Sequence, residues 1–167
     1  MTAWITGVDV ELVVVAESDK AVLANLVQLY QHDFSEIRDL PLTRHGTFTY
    51  AYLDHYFTEP AREAYFIEVG GELAGFALAR ADVDKDGSWN VAEFFVARGH
   101  RRRGVARAAA RSLFARHPGT WTLTFDHANV GAAALWRQVA ASVADGPVTE
   151  VDRTDPVPAT RLRFRVA

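Results

Sequence analysis

The residues best suited to chemistry lie in one stretch, Arg98-Gly99-His100-Arg101-Arg102-Arg103-Gly104-Val105-Ala106, between a strand pattern and a helix pattern. Glycine at 104 allows a ligand to approach the backbone closely. The small Ala106 keeps the first helical turn open. The first amides of a helix have no internal partner and sit at the positive end of its dipole. Such a start is an anion site, flanking arginines reinforce it, and a diphosphate fits it. A solvated helix start and a nucleic-acid patch are the competing readings.

The charge distribution bears on that choice. The net charge of -3 conceals a split between residues 1–97, at -10, and residues 98–167, at +7. Seven of the 16 arginines fall between Arg98 and Arg116, and no acid lies between Glu93 and Asp126. This concentration points to an anionic partner, most simply phosphate. The acidic first part disfavours nucleic acid.

A second motif claims one of the same residues. Asp82-Val83-Asp84-Lys85-Asp86-Gly87-Ser88-Trp89-Asn90-Val91-Ala92-Glu93 matches the EF-hand calcium-loop string, with glycine sixth and glutamate twelfth. An EF-hand loop sits between helices, whereas the flanks here alternate like strands, so turn chemistry explains the acids and the glycine more simply. Metal binding is therefore not expected. The histidines have no convincing metal spacing. His100 and His117 are expected at the surface, His45 and His55 among aromatics, where they could line a pocket or pack, and His127 just after a strand, within reach of the site.

These residues need elements to position them. Val10–Ala16 reads as a strand, and Val22, Leu26, Leu29 and Tyr30 repeat at helical spacing to about Asp33, in a helix that Ser18 or Asp19 can cap. Phe34–Glu59 is irregular and aromatic, with one or two short helices; its aromatics are read as core more readily than as site. Ala64–Val69, Leu73–Ala81 and Trp89–Ala97 form a three-strand meander, turning at Gly70-Gly71 and at Asp82–Ser88. Gly104–His117 is a helix with an apolar stripe (Val105, Ala109, Leu113) and an arginine stripe (Arg103, Arg107, Arg111). Thr120–Phe125 is a strand, Asn129–Ala141 a helix, and Val148–Val151 and Arg161–Val166 are strands able to pair. The order predicts one mixed α/β domain over residues 1–167 with a mostly antiparallel sheet.

Composition excludes several classes. At 167 residues and 49% hydrophobic the chain is neither disordered nor in need of staples, and with no cysteine it has no disulfides, thiolate metal cage or Cys nucleophile. Its longest apolar runs are too short to span a membrane, and Met1–Asp9 lacks the pattern of a secretion signal. The expectation is a cytoplasmic protein without membrane or nucleic-acid partners, monomeric or paired through its terminal strands.

At these residues the sequence resembles the GNAT N-acetyltransferase superfamily. That family's phosphate loop reads Arg/Gln-x-x-Gly-x-Gly/Ala; here it is Arg101-Arg102-Arg103-Gly104-Val105-Ala106. A second family element, Asn-x-x-Ala-x-x-Leu-Tyr, appears as Asn129-Val130-Gly131-Ala132-Ala133-Ala134-Leu135-Trp136. The resemblance implies an α/β (α+β) GNAT fold, with about six to seven strands and about four helices. It implies that acetyl-CoA is held by Arg101, Arg102, Arg103, Gly104, Val105, Ala106 and Arg107, and by Asn129 and Trp136 on the later helix. The strand Glu93-Phe94-Phe95-Val96 would splay from its neighbour, its Phe94, Phe95 and Val96 main chain pairing with the pantetheine arm. The Val96 N–H would then stabilise the oxyanion.

The implied reaction is direct attack of a neutral primary amine on the thioester, with Glu93 as the candidate base. Two departures stand out. Trp136 replaces a tyrosine that often protonates the leaving thiolate, and an indole N–H is no acid at neutral pH. Ala140-Ala141 replaces the usual Gly-Phe. A coenzyme-binding or regulatory module without catalysis is the alternative that Trp136 supports. The acceptor is expected between Phe34–Phe57 and Val143–Pro158, and the acidic, aromatic character there suits a cationic amine.

Overall fold

A computed structural model describes residues 8–167. Met1–Gly7, most of the stretch read above for a secretion signal, lie outside the described residues. Strand β1 (Val10–Val14) leads to helix α1 (Lys20–Phe34), a long loop and the single turn α2 (His55–Thr58). The meander follows as β2 (Arg62–Val69), β3 (Glu72–Ala81) and β4 (Trp89–Val96). Then come α3 (Val105–Arg116), β5 (Gly119–Asp126), α4 (Val130–Val143), β6 (Thr149–Arg153) and β7 (Ala159–Val166). They build one seven-stranded sheet in the order β1-β2-β3-β4-β5-β7-β6. Every neighbouring pair is antiparallel except β4 and β5.

The middle of the sheet is covered on both faces, which is why β2 and β3 read as nearly unbroken apolar runs rather than alternations. Tyr65, Ile67, Ala77 and Ala79 face α3 and α4 with Ala109, Leu113 and Phe114. Ala64, Phe66, Phe76 and Leu78 face α1 with Leu23, Leu26 and Val27. Small Ala77 and Ala79 opposite Ala109 and Ala110 let α3 sit close to the sheet, and all four are fully buried.

One irregularity decides what the site can be. The β3–β4 register shifts between Leu78, which pairs with Glu93, and Ala79, which pairs with Val91, so Ala92 is the extra residue of a β-bulge. A bulge inverts side-chain parity beyond it. Before it, Val91 packs toward α3; after it, Phe94 and Val96 do, and Phe95 turns toward α1. Glu93 is thereby sent to the α1 side, among Tyr30, Tyr50 and Arg38. Alternation without a bulge would have put it against α3.

The calcium-loop string lies in a strand–turn–strand setting, as its flanks suggested. Asp82 accepts from the Gly87 amide, Asp84 pairs with Arg161, and Asp86 pairs with Arg163 and Ser88. The Ser88 hydroxyl and amide and the Arg163 guanidinium hold the Asp86 carboxyl down to about 2. The Phe34–Glu59 segment differs more from expectation, since its only helix among the described residues is α2. Side chains on α1 supply the missing order: Gln28 both donates to the Phe48 carbonyl, at 2.9 Å, and accepts from its amide, at 2.7 Å.

Candidate active site

Strand β4 pairs with β5 only over Trp89–Val91, opposite Trp121–Leu123. Beyond Val91 the two strands part. The Ala97 amide donates to the Ala74 carbonyl on β3 at 2.8 Å. Strand alternation then turns the N–H and C=O of Val96 away from β3, into the splay. The Val96 carbonyl accepts from Arg101 Nε at 2.7 Å, while its N–H faces the gap.

At the end of β4, a short 3-10 turn (Arg98–His100) leads through Arg101–Arg103 to α3. Gly104 takes a left-handed conformation (φ 77°, ψ 5°) immediately before the helix, and a Cβ there would meet no protein atom within 4 Å. The first-turn amides of Val105, Ala106 and Arg107 have no helical acceptor behind them. Arg102 is itself left-handed (φ 61°). The open space fits a phosphate cradled by backbone. Gly104→Ala is expected to weaken acetyl-CoA about tenfold in calorimetric titration. It crowds that space and adds about 1–2 kcal/mol of left-handed strain.

The arginines divide into two groups. Arg102 and Arg103 are exposed and make no ion pair among the described residues. Arg101 is turned back: besides the Val96 carbonyl it binds Asp33 of α1 at 2.5 Å, and Arg98 binds the same carboxylate at 2.7 Å. Burial raises the Asp33 carboxyl, but hydrogen bonds from Arg101 and Arg98 outweigh it and hold the group below its ordinary range. Arg107 donates to Gln138 of α4.

Helix α4 closes the far side. The Asn129 side chain caps it by accepting from the Ala132 amide at 3.2 Å. Trp136, only 7% exposed, meets Phe94 edge-on with ring centres 5.0 Å apart.

Two clefts meet across this splay. One, of about 890 Å³, runs from Arg102 and Ala106 past Val96 to Gly131 and Leu135. The other, of about 520 Å³, holds Glu93, Tyr50, Tyr52, Arg38 and Asp126. Tyr30, Phe34, Phe94, Asn129, Ala132 and Trp136 border both. Burial raises the Glu93 carboxyl above its ordinary value, with nearby Tyr30 and Arg38 only partly opposing that. The phenol shared by both clefts, Tyr30, is pushed well up by burial and by Glu93, so it stays protonated and is no ready acid.

Several side chains fall elsewhere than the sequence suggested. His117 is not free at the surface; it stacks on Trp89 at 3.7 Å and binds Glu63 at 2.8 Å. His127 binds Thr160 at 2.7 Å and borders neither cleft. No residue of 143–158 borders either cleft. Among the loop aromatics, Tyr56 is core as expected, whereas Tyr50 and Tyr52 line the smaller cleft. Asp126 was not singled out from sequence, yet it is 5% exposed and grips Arg38 through two bonds of 2.7 and 2.8 Å. That pair ties the loop after α1 to the end of β5. The signal for it was faint: an acid ending an apolar strand.

The fold and site define the chain as an acetyltransferase-type α/β protein. The family model described as "Acetyltransferase (GNAT) family" matches residues 23–140, and the chain belongs to that family. Solved structures agree in fold. An acetyltransferase from Thermus thermophilus superposes with a TM-score of 0.70 at 17% identity, over 96% of this chain and 99% of that one. RimL, a ribosomal L7/L12 alpha-N-protein acetyltransferase in complex with coenzyme A, gives 0.67 at 14%, over 95% and 94%. AAC(6')-Ib in complex with paromomycin and acetyl-CoA gives 0.66 at 13%, over 94% and 93%. No curated protein matches the sequence. Among the described residues no cluster of side chains suits a metal ion, and no helix is long and apolar enough to cross a membrane.

Proposed function

We propose that this protein transfers the acetyl group of acetyl-CoA to a primary amine by direct attack on the thioester. The observation that carries this reading is the meeting of the two clefts at the β4–β5 splay. Open space beside Gly104 lies near the Arg102–Ala106 end of the larger cleft, which Val96 also borders, and the Glu93 carboxyl borders the smaller.

The chain's residues would divide the work as follows. The open amides at Val105–Arg107, with Arg102 and Arg103, hold the diphosphate. The unpaired edge of β4, from Phe94 to Val96, takes the pantetheine arm as an added strand. Asn129 fixes the start of α4, and Trp136 walls the thioester end. The amine arrives through the smaller cleft and loses a proton to Glu93, directly or through one water. Its nitrogen attacks the carbonyl carbon, the Val96 N–H stabilises the oxyanion, the adduct nitrogen gives its extra proton to water, the C–S bond breaks and the coenzyme A thiolate leaves. Solvent protonates that thiolate, since neither Trp136 nor Tyr30 is acidic enough.

Absorbance of a thiol reagent, followed over a panel of amines with acetyl-CoA, tests the proposal. Release that depends on an amine supports it. Trp136 favours a second reading, a coenzyme-binding module without turnover. A thermal shift with acetyl-CoA and no thiol release from any amine would establish that one instead.

A further inference from the structure

The smaller cleft carries information about the acceptor beyond the presence of an amine. Among the described residues, three charged side chains border it: Arg38, Glu93 and Asp126. Arg38 and Asp126 consume each other through the two-pronged ion pair, and Asp126 is almost wholly enclosed. A carboxylate whose two oxygens are both taken by a guanidinium offers little to a further cation. Glu93 is therefore the sole uncommitted charge. Rings make up much of the remaining wall: Phe34 ends α1, Tyr50 and Tyr52 come from the loop after it, Phe94 from β4 and Trp136 from α4. At about 520 Å³ the space is of small-molecule size.

From this arrangement we infer that the acceptor is a primary monoamine carried on an apolar, ring-sized body, rather than a polyamine or an aminoglycoside. The inference rests on the acetyl-transfer reading above and narrows its substrate class. A polycation would bring two or more ammonium groups into a cleft with one free carboxylate. Each surplus ammonium would lose its hydration without gaining a counter-charge, and buried unpaired charge is strongly disfavoured. A monoamine has one cation for one carboxylate. Its body gains from burial against the rings, and its ammonium gains from their faces before it is deprotonated. The balance of the step is unchanged: one proton goes from the ammonium to Glu93, the acetyl group goes to nitrogen, the nitrogen's second proton passes to solvent as the adduct collapses, and the thiolate leaves and takes a proton from solvent.

The experiment compares kcat/KM for 2-phenylethylamine, hexylamine, spermidine and paromomycin, read by thiol release in the intact protein. The wild type is set beside Gln31→Glu. Gln31 borders the cleft and donates to the Thr49 carbonyl at 3.3 Å; the exchange keeps its size, gives up that bond and adds a second carboxylate. The expected result is that 2-phenylethylamine exceeds spermidine and paromomycin at least tenfold. Gln31→Glu should raise spermidine relative to 2-phenylethylamine about tenfold, which corresponds to about 1.4 kcal/mol. A wild type that acetylates spermidine or paromomycin as well as the monoamines overturns the inference and leaves acetyl transfer standing. Hexylamine matching 2-phenylethylamine supports the single-charge argument and overturns the ring-sized body. No thiol release with any amine, despite a thermal shift with acetyl-CoA, overturns the transfer reading and this inference with it.

Discussion

Glu93→Gln is expected to lower turnover about 10²- to 10⁴-fold, the range for losing a positioned proton acceptor, with acetyl-CoA affinity unchanged. Glu93 borders the smaller cleft and not the larger, so the coenzyme side should not register the exchange. The pH dependence follows from the direction of its shift. Burial raises the carboxyl above its ordinary 4.5, so the folded protein resists ionising it where the unfolded chain does not. Wild-type turnover therefore falls as the pH drops through the raised value, whereas the variant retains only the limb due to the amine itself. Stability runs the other way. Below the ordinary value Glu93 is neutral in both states and costs nothing. As the pH rises through the folded value, the cost of an ionised buried group is fully imposed. The variant should thus melt higher than wild type at pH 8, with the difference closing as the pH falls toward 4. Calorimetry across pH, set beside single-turnover rates, separates the two effects. Unaltered turnover at every pH removes Glu93 from the chemistry.

Gly75→Ala is expected to be the more damaging exchange to the fold. Gly75 lies in β3 opposite Val96. A methyl group there would overlap the Phe95 carbonyl oxygen, with the carbonyl carbon at 2.9 Å and Val96 Cα at 3.0 Å. Those atoms are backbone and cannot rotate away, so β4 itself must move. Overpacking of this kind costs about 1–3 kcal/mol, or about 2–12 °C in Tm for a chain of this size. The displaced segment is the one that presents the Val96 N–H. Acetyl-CoA affinity and kcat should therefore fall together, which a merely softened core would not require. Gly99→Ala serves as the control: it lies in the neighbouring loop, its Cβ would meet nothing within 4 Å, and it should leave Tm and affinity as they are. Gly75→Ala with wild-type melting and affinity would remove the close β3–β4 approach as a constraint.

The sequence was most legible where a local pattern has a local cause. Helices α3 and α4 lie within about two residues of their expected bounds. Apolar spacing sets which face of each is buried. Gly104 and Asn129 sit where a left-handed residue and a side-chain cap are needed. The meander, with turns at Gly70-Gly71 and Asp82–Ser88, follows the same logic. Legibility failed in the Phe34–Glu59 loop, because its order is borrowed from Gln28 and from the Arg38–Asp126 pair, partners far away in sequence. His117 was misread for the same reason: whether it is free or stacked on Trp89 depends on β4 and β2, not on its neighbours along the chain.

The residues by themselves determined the alternation of strands and helices, the left-handed glycine that opens α3 and the membership of the GNAT family. All three rest on side-chain periodicity and on motifs contained within a few turns of chain. Tertiary structure alone decided which charges are free. Seven arginines cluster in sequence, yet Arg98 and Arg101 are spent on Asp33, while Arg102 and Arg103 stay open. The acids of the smaller cleft likewise reduce to Glu93 once Asp126 is taken by Arg38. A bulge of one residue at Ala92 settles even which face Glu93 occupies. Composition counts charges, but pairing in space determines which of them a ligand can meet, since an ion pair closed within the fold leaves little field for anything outside it.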